Sequence, residues 1–156
     1  MDFDQQIQAL VDYAPQDGQT PNLVRTIAPA LKSLASKLQH PEYFVLQTLE
    51  QRWLVTTLNN RQQSNIEKRV VYAFPTPEDA MQMPGADDPQ LVALPVPVIH
   101  ILFQMMSLKT VDSTVFFETP GQRATGVEIG CKDVQQFIRT YLQRLQAELQ
   151  PPSDIA

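Results

Sequence analysis

The chain has 156 residues, 43% of them hydrophobic, enough to bury one good core at the usual size of a single domain. Its 12 basic and 17 acidic residues leave a formal charge of -5, which disfavours a nucleic-acid backbone or an anionic membrane surface as partner. A single cysteine excludes an internal disulfide framework and a multi-cysteine metal site, and fits a reducing compartment.

The first residues, "MDFDQQIQAL", carry acidic groups where a secretory signal carries positive charge, and no apolar run approaches a membrane span. A soluble, cytoplasmic protein is therefore expected. Phe3, Ile7, Leu10 and Val11 share one helical face, with Asp2 and Asp4 at the end where a helix favours anions, and "APQDGQTP" stops that helix near Pro15. A second helix repeats Leu23, Ile27, Leu31, Leu34 and Leu38, and Pro29 predicts either a kink or a late start. Residues 1–40 thus form a helical extension that packs on the main domain or on a partner.

From Tyr43 the period changes. "YFVLQTL" and "RWLVTTL" are rich in aromatic and β-branched residues and predict a hairpin turning at Glu50 and Gln51. The polar "NNRQQSN" predicts a mobile loop, and "IEKRVVYAF" a third strand. In "FPTPEDAM" Thr76 is the N-cap of a short helix, Pro77 its first residue, and Glu78 and Asp79 its first turn, and "MPGADDP" ends it. "QLVALPVP" predicts a fourth strand, and "VIHILFQMMSL" a helix apolar almost all round. "STVFFET" is a fifth strand, "TPGQRATG" a loop and "VEI" a short pairing segment. The closing helix puts Val134, Phe137, Ile138, Tyr141, Leu142, Leu145 and Leu149 on one stripe, and residues 150–156 form a flexible tail. The expected fold is α+β over residues 41–149: a mixed sheet of about five strands covered by helices.

"YFVLQTLEQRWLVTT", "VVYAFPTPEDAM", "LVALPVPVIHILFQMM", "STVFFETPG" and "GVEIGCKDVQQFI" follow one another in an order that resembles the SseB N-terminal domain family. Such domains have a strand leading to an F-T/S-x-E-x-A helix start, a "vPv" segment before a middle helix, an N-P-G-like turn and an x-E-L-S-P-E-D-V step into the last helix. The resemblance spans about Tyr43 to Leu145. Thr119 stands where the family's turn has Asn, and Cys131 where it has Ser. It implies a fold without implying a reaction.

The candidates for chemistry are few. Cys131 sits at the mouth of the last helix, where backbone N–H groups stabilise a thiolate, but a nucleophile also needs a base and the chain has only His40 and His100. Capping or packing is the simpler reading of Cys131, and a half-buried histidine bonded to a carbonyl the simpler reading of His100. Arg123 in "TPGQRATG" would, with the Cys131 helix end, form an anion or thiol site, although the loop lacks the lysine of a phosphate loop. No catalytic residue, metal site or cofactor is expected.

Apolar surface carries the main expectation. Leu102, Met105 and Met106 exceed what one sheet contact needs, and with Phe3 and Ile7 of the extension they would bind a protein partner or a second copy in a homodimer; the plain alternative is that they complete the core. The expected function is a non-catalytic interaction module, an adaptor, regulator or assembly chaperone. The alternatives are a small-molecule or anion sensor at residues 119–131, and a thiol-dependent enzyme or redox sensor at Cys131.

Overall fold

Asp2 opens the first helix, α1 (Phe3–Tyr13), in a computed structural model that describes residues 2–59, 67–122 and 125–149. The Asp2 carboxylate accepts from the Gln5 N–H at 2.8 Å, and the Asp2 N–H donates to Oε1 of Gln5 at 2.9 Å. This reciprocal box satisfies donors that a helix start leaves open. Ile7 and Val11 turn inward from it. The second helix, α2 (Thr20–Ala35), has Pro21 in its first turn and keeps Pro29 inside a continuous helix, so the late start does not occur. Just before it the Asp17 carboxylate accepts from the N–H groups of Thr20, foremost, and Gln19, which lower its pKa to about 2.

Strands β1 (Glu42–Thr48) and β4 (Leu91–Pro97) form an antiparallel pair, with Tyr43 opposite Val96. Strands β2 (Thr56–Asn59), β3 (Glu67–Ala73), β5 (Ser113–Phe117) and β6 (Gly126–Gly130) form a four-stranded sheet in the order β2-β3-β5-β6. Among the described residues only β3 and β5 run parallel. The two sheets meet where Phe44 and Phe74 exchange backbone hydrogen bonds of 2.7 and 2.9 Å. The body is thus α+β, with six strands in two sheets among the described residues.

The predicted β1–β2 hairpin is corrected by this pairing. Its turn forms, with Thr48 bonded to Arg52 and Trp53 bridged to Gln47, but Leu54 and Val55 lie outside any strand and β2 pairs with β3 instead. The second arm pairs only as far as Leu54, whose N–H donates to the Leu46 carbonyl at 2.9 Å, because Phe74 takes the next place on that edge of β1 at Phe44; β4 holds the opposite edge, where its Pro95 and Pro97, lacking N–H groups, face outward. Thr76 caps α3 (Pro77–Met81) as expected, and α4 (Val98–Met105) follows β4 directly. The last helix, α5 (Cys131–Leu149), starts at the cysteine. Most of the loop predicted at "NNRQQSN" and the tail at 150–156 lie outside the described residues.

Helix α2 lies at the centre of the core, packed on α1, α4 and α5, and its Val24, Ile27 and Leu31 are fully buried. Each such side chain contributes about 1.5–3 kcal/mol by leaving water. The N-terminal helices and the strands therefore share one core, which also holds Val71, Phe116, Val134 and Ile138. A second, smaller cluster of Leu46, Phe74, Ala80, Ala86 and Phe117 lies on the other face of the four-stranded sheet.

Candidate functional site

The core accounts for most of the residues singled out from the sequence. Leu102 and Met105 are 0% exposed, Ile7 is buried, and Phe3 and Met106 are half-buried against the same cluster. The expected docking face on α4 is corrected accordingly: α1 and α2 already cover it. A side chain of α1 closes that seal, since Gln6 accepts from the Ile99 N–H at 2.9 Å and donates to the Pro41 carbonyl at 2.8 Å. His100 bonds the Gln6 carbonyl at 3.0 Å, and burial, outweighing that bond, lowers its pKa.

Cys131 is 2% exposed and belongs to the core. Burial first, then the Asp112 carboxylate, push its thiol up to about 11, so the helix end does not produce a thiolate there. The Cys131 N–H donates to the Asp112 carbonyl at 2.8 Å. Neither His40 nor His100 forms a hydrogen bond with it; their ring bonds go to the carbonyls of Glu118 and Gln6. Arg123 lies outside the described residues. In the described part of its loop the Gly121 N–H donates to Asp79 at 2.9 Å, so the protein's own carboxylate sits where an external anion was expected. Asp79 also accepts from the Thr76 hydroxyl at 2.7 Å, tying α3 to the turn.

A buried polar cluster was missed. Glu118, just past β5, accepts from the Tyr43 hydroxyl and from the Gln39 N–H at 2.7 Å, while His40 donates to the Glu118 carbonyl at 2.6 Å. Tyr43 is 0% exposed and packs edge-on against Phe116 and His40, so no substrate reaches its hydroxyl. Burial, followed by the Glu118 contact, raises its pKa well above the ordinary phenol range. The cluster holds the chain leaving α2 to β1 and β5.

An apolar groove stays open among the described residues. On the sheet face opposite the α2 core, Tyr72, Val115 and Phe117 floor a groove of about 570 Å³, with Met83 and Pro84 on one wall and Gly126, Glu128 and Thr56 completing it. Tyr72 and Phe117 stack at 5.7 Å, and Phe117 stacks on Phe74 at 5.1 Å, so the floor is rigid. Glu128 is bonded by Ser113 and Lys68, Lys68 foremost, and its pKa is lowered. The signal was in the sequence: Tyr72 and Phe74, and Val115 and Phe117, recur at the strand period of two and mark a second apolar sheet face. A smaller pocket of about 380 Å³ on the α2 side is lined by Trp53, Val71, Leu108 and Val111 with Arg52 and Gln104. Gln51, also in its lining, is the one non-glycine residue with positive φ among the described residues, at 66°.

Among the described residues no group of three or more His, Cys, Asp or Glu side chains could hold a metal ion, and no helix is long and apolar enough to cross a membrane. The chain matches no protein-family model, no curated protein and no solved structure.

Proposed function

We propose that the protein is a non-catalytic interaction module of the cytoplasm that binds another polypeptide in the groove over Tyr72, Val115 and Phe117. The observation that carries this reading is the open aromatic floor, set against an α4 face sealed by α1 and α2. Aromatic side chains held rigidly by stacking bring contact area at little entropic cost. Adaptor, regulator and assembly chaperone are all roles such a module fills.

Selection from a phage-displayed library of random peptides tests it. Selected peptides should bind the wild-type chain and lose roughly tenfold or more in affinity on Tyr72→Glu, as for a central apolar contact. A library that yields no binder, or binders indifferent to Tyr72→Glu, overturns the reading.

A second reading, a small-molecule sensor, moves from residues 119–131 to the Trp53 pocket. Its support is the combination of an aromatic wall, Arg52 at the rim and the strained Gln51 backbone. Thermal-shift screening of small anions and aromatic metabolites against wild type and Trp53→Ala decides it, with a flat screen counting against it.

A further inference from the structure

The open groove runs beside a strand edge, and the phase of the ladder determines what that edge offers. The Cys131 N–H donates to the Asp112 carbonyl, one step beyond the Ser113–Gly130 pair. Backbone bonds alternate along an antiparallel ladder, so Val127 and Ile129 turn their N–H and C=O groups toward β5. Gly126, Glu128 and Gly130 turn theirs outward, along the end of the sheet.

The other edges are guarded and this one is not. Strand β4 carries Pro95 and Pro97, and β2 has four residues. Strand β6 has neither proline nor lysine, and Val127 on it is 38% exposed. Exposed, unguarded edges are templates for pairing with another chain. Side chains alternate across a strand, so of the three outward-bonding positions Gly126 and Glu128 also line the groove.

We propose that the bound polypeptide adds to β6 as an extra strand, presenting to the groove an apolar side chain and a basic side chain two residues apart. The inference rests on the groove's binding a polypeptide and specifies how it does so. Beside Gly126 no side chain separates an added strand from Val115 and Phe117: a Cβ built there lies 2.7 Å from Cγ1 of Val115 and 3.3 Å from the Phe117 ring. An apolar residue of the partner packs at that step. At the next groove-facing step, Glu128 is the one charged residue among the described residues of the lining, and its bonds to Ser113 and Lys68 both use Oε2. Oε1 is left as the atom for a partner's lysine or arginine, and the chain's charge of -5 favours a basic partner from a distance. The spacing of two follows from the pleat alone.

The test measures amide hydrogen exchange by NMR on the full chain with synthetic copies of phage-selected peptides. Binding should slow exchange at Gly126, Glu128 and Gly130 by roughly tenfold or more, with smaller changes at Val127 and Ile129, already bonded to β5. Selected sequences should share an apolar residue and a Lys or Arg two positions apart. Glu128→Pro removes an outward N–H from the ladder together with the carboxylate and should abolish binding. Glu128→Gln keeps that N–H and should bind more weakly, without preference for a basic residue. Peptides that shift Tyr72 and Val115 resonances but leave the three outward amides unchanged overturn strand addition while the groove reading survives. No selectable peptide overturns both, and slowed amides with no basic residue among the winners overturn the charge assignment.

Discussion

The Tyr43 hydroxyl donates to the Glu118 carboxylate with both side chains buried, joining the start of β1 to the exit of β5. Gln39 adds a second donor to the same carboxylate, so the segment after α2 is held by a group that cannot reach water. Tyr43→Phe leaves that carboxylate one donor short inside the protein. The expected loss is about 1–3 kcal/mol, because an unsatisfied buried acceptor costs its desolvation. Urea denaturation of the two proteins measures it, and equal stabilities would show that the pair contributes nothing.

Stability should form a plateau bounded by two buried groups. Burial holds the folded-state pKa of His100 below its ordinary 6.5, so the folded protein binds fewer protons there, and this contribution is present above pH 6.5 and lost as pH falls below it. Cys131 acts in the opposite sense. Its folded-state pKa lies above the ordinary 9.0, at about 11, so its contribution is complete below pH 9 and disappears between 9 and about 11. Over that window the loss attributable to the thiol is roughly 2–3 kcal/mol. The stability difference between wild type and Cys131→Ala, measured by denaturation at a series of pH values, should change by that amount from pH 9 to 11; a difference independent of pH would contradict it.

What could be read from the sequence was what local chemistry decides. Thr76 followed by Pro77 marks a helix start wherever it occurs, and the Val134 to Leu142 stripe forms a helix because its period matches 3.6 residues. The β1–β4 pair was not readable, since Leu46 meets Ala93 across a long stretch of chain and nothing near either residue names the other. Met105 looked like spare surface because its own helix is apolar all round, and only the position of α2 shows it to be covered. The groove was hidden for the complementary reason: Tyr72 and Val115 read as ordinary strand residues until it is known which sheet face the helices leave bare. Glu118 sits in a strand-to-turn segment that reads as solvated, and its burial depends on Tyr43, 75 positions away.

Gln6 is a polar residue 1% exposed on an otherwise polar turn of α1, and its amide is what joins that helix to the start of α4. Gln6→Leu keeps the bulk but removes the acceptor for the Ile99 N–H and the donor to Pro41. A loss of about 1–3 kcal/mol is expected, with faster amide exchange at Ile99 and through α1. If Ile99 exchanges at the wild-type rate in the variant, the side chain is not its cap.

Gly126 separates packing from backbone freedom as the reason for a glycine. Its φ is not positive, so no strained conformation demands the residue; a Cβ there would lie 2.7 Å from Val115 and 3.3 Å from Phe117. Gly85 is the contrast, with φ at 86° and nothing within 4 Å of its Cβ position. Gly126→Ala should cost about 1–3 kcal/mol, as overfilling a packed contact does. Gly85→Ala should cost about 1 kcal/mol from backbone conformation alone. The decisive comparison is the double variant, because Val115→Ala removes the colliding methyl groups and should relieve much of the Gly126→Ala cost, whereas it should leave the cost of Gly85→Ala unchanged. Thermal or urea denaturation of the full set measures both cycles, and purely additive losses at Gly126 and Val115 would mean that the two residues do not meet as described.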